Sequence, residues 1–129
     1  MIILDTHAWL WWASDDRTFF SSPTFAAIEA APLLGVCTIS CWELMMLVRK
    51  GRVKLGIDPH VWLADAMTLP AIQMLPLTPS IAIAAGSFGD TLHGDPADRI
   101  IVATAQHHGA QLVTRDDHIT RAGLVPVLW

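Results

Sequence analysis

The sequence has few charged residues, few cysteines and no long apolar segment, and each shortage excludes a class of protein. Charged residues make up 16% of the 129 residues, well below the usual quarter, whereas 53% are hydrophobic. No apolar run reaches the roughly 18 residues of a membrane span, and no basic segment precedes an apolar one as in a secretory signal. We therefore expect a soluble, cytoplasmic protein without a membrane partner, folded as a single domain over residues 1–129.

Cysteine and basic residues are also scarce. The two cysteines, Cys37 and Cys41, fit no zinc-binding or disulfide pattern, so we expect free thiols. The formal net charge of −4 means that any contact with nucleic acid depends on a local basic patch. The low charge content indicates apolar surface that is covered by a second copy or another partner.

Short apolar segments alternate with helical segments along the whole chain. Predicted strands cover residues 2–4, 32–39, 72–77, 111–114 and 125–128. Helices are predicted to start at Ser22-Pro23, Ser40, Asp58-Pro59, Thr78-Pro79 and Asp95-Pro96, where a capping residue or a proline marks each start. Gly51 and Gly109 mark two helix ends. The alternation predicts an α/β fold with a mainly parallel sheet between helices.

Four acidic residues are predicted to lie at one edge of this sheet. Asp5 directly follows the first strand, and Glu43 lies near the start of the helix after the second strand. Asp98 lies in the first turn of its helix, and Asp116 follows the fourth predicted strand. Strand ends and helix starts meet at the same edge of a parallel sheet, so the four carboxylates should converge where such folds bind ligands.

Each acid also has a purely structural explanation. Glu43 follows Ser40 by three residues, which is the spacing of a capping box. Asp95 and Asp98 would stabilise a helix start through its dipole, and Asp116 would cap the short helix that follows it. The arrival of all four acids at one edge favours a shared functional role.

Converging carboxylates indicate a metal site. They would repel one another and raise one another's pKa values unless a cation neutralised them. An all-oxygen ligand set suits a hard divalent ion such as Mg²⁺ or Mn²⁺. Such an ion can activate water and neutralise the charge that develops on a phosphodiester. The acids therefore point to metal-dependent phosphodiester chemistry.

The motifs around these acids resemble those of the PIN-domain ribonucleases, and among them the VapC-type toxins of bacterial toxin–antitoxin pairs. LDTHAWLWW is similar to the family's first strand and first acid, and SCWELMMLVRKGRV to its second-acid helix. DPADRIIVATA is similar to the third-acid helix, and LVTRDD to the last strand and fourth acid. The motifs occur in the family's order and span nearly the whole chain.

The resemblance implies a PIN-like α/β/α sandwich, a homodimer, Mg²⁺- or Mn²⁺-dependent endonucleolytic cleavage of RNA, and a cognate antitoxin that blocks the site. It assigns metal binding and catalysis to Asp5, Glu43, Asp98 and Asp116. Asp95 is an auxiliary candidate that we expect to cap its helix. The hydroxyls of Thr6 and Thr114 would hold an acid, a phosphate oxygen or their own backbone. Asp117 leaves the choice of Asp116 open.

One dense basic run follows the second-acid helix and consists of Arg49, Lys50, Arg52 and Lys54. These residues would either bind RNA phosphates beside the acids or complement the dipole at the end of the helix. Arg99 is expected to pair with an acid other than its neighbour in sequence. The six histidines show no recognisable catalytic spacing, and we assign them no catalytic role.

The segment Trp9, Leu10, Trp11 and Trp12 predicts a helix that is apolar on every side. For these side chains we expect core and interface roles in preference to stacking on RNA bases.

Two rival enzyme classes lack their required residues. An aspartyl phosphohydrolase would need an aspartate where this chain has His7, and a receiver domain would need a lysine after a late strand. The remaining alternative is a non-catalytic PIN-like binding module that acts through its apolar interface, with the acids serving only as caps. A metal titration separates this alternative from the nuclease.

Overall fold

The computed structural model describes residues 1–129 and contains a five-stranded sheet and seven α-helices. The strands are β1 (Ile2–Leu4), β2 (Leu34–Cys37), β3 (Ile72–Leu75), β4 (Gln111–Val113) and β5 (Val127–Leu128). The helices are α1 (Thr6–Ala13), α2 (Ser22–Ala30), α3 (Ile39–Arg49), α4 (Pro59–Met67), α5 (Pro79–Gly86), α6 (Pro96–His108) and α7 (Asp117–Ala122). Arg17–Phe19 and Gly89–Thr91 form short 3-10 helices.

All strand pairs are parallel, in the order β3-β2-β1-β4-β5. The predicted α/β class with a parallel central sheet is therefore confirmed. The chain builds outward from β1 on one side, then returns to place β4 on the other side of β1. The gap between the carboxyl ends of β1 and β4 is thus a topological switch point, where such sheets open a crevice for ligands.

The strands bury side chains on both faces. Leu4 and Val113 belong to a cluster with residues of α1 to α4, whereas Ile3 and Leu112 belong to a second cluster with residues of α6 and α7. Successive strand residues point to opposite faces, so each short strand contributes to both clusters. Helix α5 packs outside α6 through Ile81. The result is the predicted α/β/α sandwich.

The predicted elements are in place, although several bounds differ. The side chains of Asp58, Thr78 and Asp95 cap their helices as predicted. Helix α2 is capped by Ser21, one residue before the predicted start. The second predicted strand is shorter than expected, because only Leu34–Cys37 pairs with neighbouring strands. Both cysteines are free, as predicted. No helix combines the length and the apolar character needed to cross a membrane.

The aromatic side chains of helix α1 make most of their contacts within their own chain. Trp9 and Leu10 are buried in the core. Trp11 stacks on Phe19 with ring centroids 4.3 Å apart. The Trp12 Nε1 donates a hydrogen bond to Glu29 Oε1 at 3.3 Å. Core packing, one of the two roles predicted for this helix, therefore accounts for Trp9, and intramolecular contacts half-bury Trp11 and Trp12.

Candidate metal centre

The predicted acids of all four motifs line one cavity of about 490 Å³ at the carboxyl ends of the strands. The acidic residues of this central cavity are Asp5, Glu43, Asp95, Asp98 and Asp116. Carboxylate oxygens of Glu43, Asp95 and Asp98 lie within 4.8 Å of one another. Residues far apart in sequence thus meet in one place, as the strand order requires.

Asp5 is held by the sheet and by α1 together. Its backbone N–H continues the β1 ladder by donating to the Val113 carbonyl at 3.1 Å, and its Oδ1 accepts from the Ala8 N–H at 2.8 Å. Burial raises the pKa of the Asp5 carboxyl, and a hydrogen bond from the Thr114 hydroxyl offsets part of that rise. The carboxylate is therefore oriented before any ligand arrives.

Thr114 connects the first acid to the last. Its buried Oγ1 also accepts the Asp116 N–H at 3.0 Å, so both alternatives predicted for this hydroxyl, an acid partner and a backbone partner, are realised. Asp116 Oδ1 caps α7 through the N–H groups of His118 and Ile119. Asp117 is exposed and does not line the central cavity. The structure thus brings Asp116, and not Asp117, to the other acids.

The predicted capping box of Ser40 and Glu43 is wrong. Helix α3 begins at Ile39 after Thr38, and the side chain of Thr38 makes no cap bond. Ser40 lies inside the helix, where its Oγ accepts a hydrogen bond from Thr6 Oγ1 at 2.9 Å between two buried side chains. This bond ties the start of α1 to the start of α3. It leaves Glu43, three residues farther along α3, lining the cavity with Asp5.

The start of α6 supplies two carboxylates. Asp95 Oδ1 accepts the N–H groups of Ala97 at 2.9 Å and Asp98 at 3.3 Å, so Asp95 is the predicted cap. Burial, reinforced by the charges of the four neighbouring acids, raises the pKa of Asp98 to about 8. A cation in the cavity would remove this electrostatic penalty.

His93 is a member of the site that the sequence predictions missed. Its Nε2 lies 3.1 Å from Asp98 Oδ2 and 3.7 Å from Asp116 Oδ2. The nitrogen is buried but makes no well-aligned hydrogen bond. The only signal in the sequence was its position two residues before Asp95, the cap of the third-acid helix. Spacing rules for zinc proteases and nucleophiles do not detect such a residue.

Arg99 holds the loop that carries His93. Its guanidinium donates to backbone carbonyls and forms no ion pair, so the predicted acid partner is wrong. The carbonyls belong to Ala85, Gly89, Leu92 and His93. The loop before α6 offers unpaired carbonyls closer to the guanidinium than any carboxylate. Arg99 therefore helps to fix the loop that places His93 beside the acids.

The basic run is divided by the fold. Arg52 lines the central cavity, whereas Lys50 and Lys54 line two different neighbouring cavities. Arg49 lies at the exposed end of α3 and lines none of the three. Arg115, which directly precedes Asp116 in the sequence, also lines the central cavity and lies over the rings of Trp11 and Trp129.

The donor set fits a hard divalent cation. Carboxylate oxygens dominate it, and two arginines are the only permanent cations in the lining of the cavity. The buried Nε2 of His93 lies close to two of the carboxylates but makes no well-aligned hydrogen bond. Burial and the charges of the neighbouring acids raise the pKa of Asp98 to about 8, so a cation is needed to favour its ionised form at neutral pH.

A parallel sheet with acids converging at its switch point is the arrangement of a known family. The PIN domain model matches residues 2–124, and the chain belongs to the PIN-domain family. It is 37% identical over 115 residues to Ribonuclease VapC22 of Mycobacterium tuberculosis, a match that covers 89% of this chain and 86% of the relative. The predicted resemblance to PIN-domain proteins of the VapC type is confirmed.

Solved structures share the fold. FitAcB from Neisseria gonorrhoeae is 24% identical with a TM-score of 0.68, over 100% of this chain and 97% of that chain. VapBC2 from Rickettsia felis, bound to a DNA fragment from its promoter, is 16% identical with a TM-score of 0.70, over 98% and 97%. A toxin-antitoxin complex from Klebsiella pneumoniae is 22% identical with a TM-score of 0.64, over 97% and 95%.

Proposed function

We propose that this protein is a metal-dependent endoribonuclease and the toxin of a toxin–antitoxin pair. The observation that carries the proposal is the convergence of Asp5, Glu43, Asp98 and Asp116 on one cavity. Membership of the PIN-domain family and the 37% identity to a protein named as a ribonuclease support the substrate class. The non-catalytic alternative leaves unexplained why these acids meet, because a cap needs no second carboxylate beside it.

Four residues are proposed to hold a Mg²⁺ or Mn²⁺ ion, namely Asp5, Glu43, Asp98 and Asp116. Bound there, the ion would activate water and neutralise charge on the phosphodiester. Thr114 keeps the Asp5 carboxylate oriented, and the cap bonds of Asp116 do the same at the other wall. Arg52 and Arg115 line the same cavity as the acids and are proposed to bind phosphate oxygens. Asp95 remains a cap, and Thr6 a link between helices.

The purified protein should cut single-stranded RNA only when Mg²⁺ or Mn²⁺ is present. Without the ion, the acids repel the phosphates that they are proposed to act on. Gel analysis of a labelled RNA with each ion, and with chelator, measures the effect. Cleavage that continues unchanged in chelator would show that a contaminating or metal-independent nuclease is responsible.

The proposed protein partner is an antitoxin that covers the acidic cavity. The Klebsiella pneumoniae neighbour is a toxin-antitoxin complex, which supports this kind of partner for a chain of the same fold. A basic side chain of the antitoxin that reaches the carboxylates would replace part of the metal's charge. Such an antitoxin would bind most tightly when the metal is absent.

We also propose that the protein forms a homodimer. Several large apolar side chains are exposed, including Ile57 and Val61 at 53% each and Ile83 at 70%. Covering them with a second copy removes apolar surface from water. Light scattering at micromolar concentration should therefore give about twice the chain mass of 14.1 kDa. A monomer mass at all concentrations would contradict the dimer.

A further inference from the structure

The central cavity adjoins two further cavities, with which it shares lining residues. A cavity of about 430 Å³ beside α1 shares His7, Trp11 and Arg52 with it. A smaller cavity of about 160 Å³ beside α3 shares Glu43, Leu47, Asp95 and Arg52 with it. Arg52 lines all three cavities. The three spaces therefore share Arg52 and form one continuous track that passes the acids.

The end of α3 explains how Arg52 reaches this position. Gly51 has a positive φ of 73°, and its N–H donates to the Val48 carbonyl at 3.0 Å. The Arg52 N–H then donates to the Leu47 carbonyl at 2.9 Å. This pair of bonds reverses the chain at the end of the helix, and glycine adopts the left-handed conformation without strain. Arg52 is returned to the level of Leu47, which also lines the central cavity.

Each outer cavity combines an exposed aromatic ring with a lysine. Beside α1, Phe19 is 38% exposed and is stacked on Trp11 with 9° between the ring planes, and Lys54 lines the same cavity. Beside α3, Trp42 is 53% exposed and lines the same cavity as Lys50. An aromatic face beside a cation is the combination that binds a base and its phosphate in single-stranded nucleic acid.

The charges on this track favour nucleic acid over an apolar protein partner. None of Lys50, Arg52 and Lys54 forms an ion pair with a carboxylate of the chain. Cations that served only to neutralise the acidic cavity would be paired with it. Unpaired cations spaced along a track are instead complementary to successive phosphates.

We propose that an unpaired RNA segment crosses the site along this track, with one base stacked on Phe19 and another on Trp42. Arg52 binds a phosphate at the centre, and Lys54 and Lys50 bind phosphates on the two sides. Paired bases cannot reach either ring, because base stacking on side chains requires splayed single strands. This inference rests on the proposed ribonuclease function and extends it to two residues that select the substrate.

Binding of a fluorescein-labelled 12-nucleotide single-stranded RNA, followed by anisotropy in the Asp98→Asn protein, tests the two rings. Phe19→Leu and Trp42→Ala should each weaken binding about tenfold. Phe19→Leu keeps apolar bulk against Trp11, so that loss of binding is not a folding defect. Leu77→Ala is the matched control, because Leu77 is 44% exposed and lines none of the three cavities.

The salt dependence tests the cations separately. Arg52→Ala should reduce the slope of log K against log salt by about 0.7, the value for one phosphate of a single strand. Arg49→Ala removes the same charge from outside the track and should change the slope less. The same RNA in a duplex should bind more weakly than the single strand, and the ring substitutions should not affect duplex binding.

The outcomes distinguish this inference from the proposed function. Unaltered single-strand binding by both ring variants overturns the inference, even if the unsubstituted protein cuts RNA. Ring variants that bind RNA normally but lose dimer mass in light scattering would assign the rings to a contact between copies. Tenfold weaker binding by the ring variants supports the inference even if the unsubstituted protein cuts no RNA. Absence of cleavage would contradict only the proposed nuclease function.

Discussion

Asp98→Asn should lower metal-dependent RNA cleavage at least about 100-fold and leave the metal-free protein as stable as before, or more so. Asparagine keeps the size of the side chain but removes a ligand charge. It also removes the charge whose burial beside four other acids raises the pKa of Asp98 to about 8. Activity and metal-free stability should therefore move in opposite directions, which a residue needed only for folding would not produce.

The measurement pairs cleavage of a labelled RNA in Mn²⁺ with thermal melting in chelator. Asp65→Asn makes the same chemical change at an exposed position of α4 and should leave both readouts unaltered. Asp5→Asn should also abolish cleavage, and the double variant should be no worse than either single variant, because both changes disable one metal-centred unit. Full activity in Asp98→Asn would falsify the assignment of that residue.

The stability of the metal-free protein should fall as the pH rises from about 5 to 8. The pKa of Asp98 is raised to about 8 in the folded protein and has its ordinary value of 3.8 in the unfolded chain. Between these values the folded state holds a proton that the unfolded state has lost. The stabilisation is therefore complete at low pH and disappears as the pH approaches 8, at no more than about 1.4 kcal/mol per pH unit for one proton.

Urea unfolding in chelator across this pH range measures the slope. Burial also raises the pKa of Asp5, so Asp5 adds to the change in the same direction. Asp98→Asn should flatten the profile. Added Mn²⁺ should stabilise the protein more at pH 8 than at pH 5, because the ion competes with a proton for these carboxylates. A metal-free stability that is constant or rises over this range would show that the pKa of Asp98 is not raised in the folded protein.

The same cavity accounts for both predictions and for the track that crosses it. The acids lie at the switch point beside β1 and β4, whereas Lys50 and Lys54 lie in the outer cavities and Arg52 connects all three cavities. This separation explains how a chain with a net charge of −4 can present a binding surface for RNA. The net charge describes the whole molecule, whereas the substrate meets only one surface.

The sequence alone determined the order of elements and the positions of the acids along them. Short apolar runs with caps such as Asp95 define strands and helices through interactions that span only three or four residues. Alternation of these elements implies a parallel sheet, and a parallel sheet gathers the carboxyl ends of its strands at one edge. The convergence of Asp5, Glu43, Asp98 and Asp116 followed from these local rules.

Tertiary structure alone decided which partner each polar side chain takes. Ser40 bonds to Thr6 and not to Glu43, His93 lies between two acids, and Arg99 binds loop carbonyls. Each of these outcomes depends on the distance between elements that are remote in sequence, and several partners of similar hydrogen-bonding strength compete for each group. The spacing of residues along the chain does not predict the outcome of that competition. The distances between the elements are set by the packing of the two buried clusters.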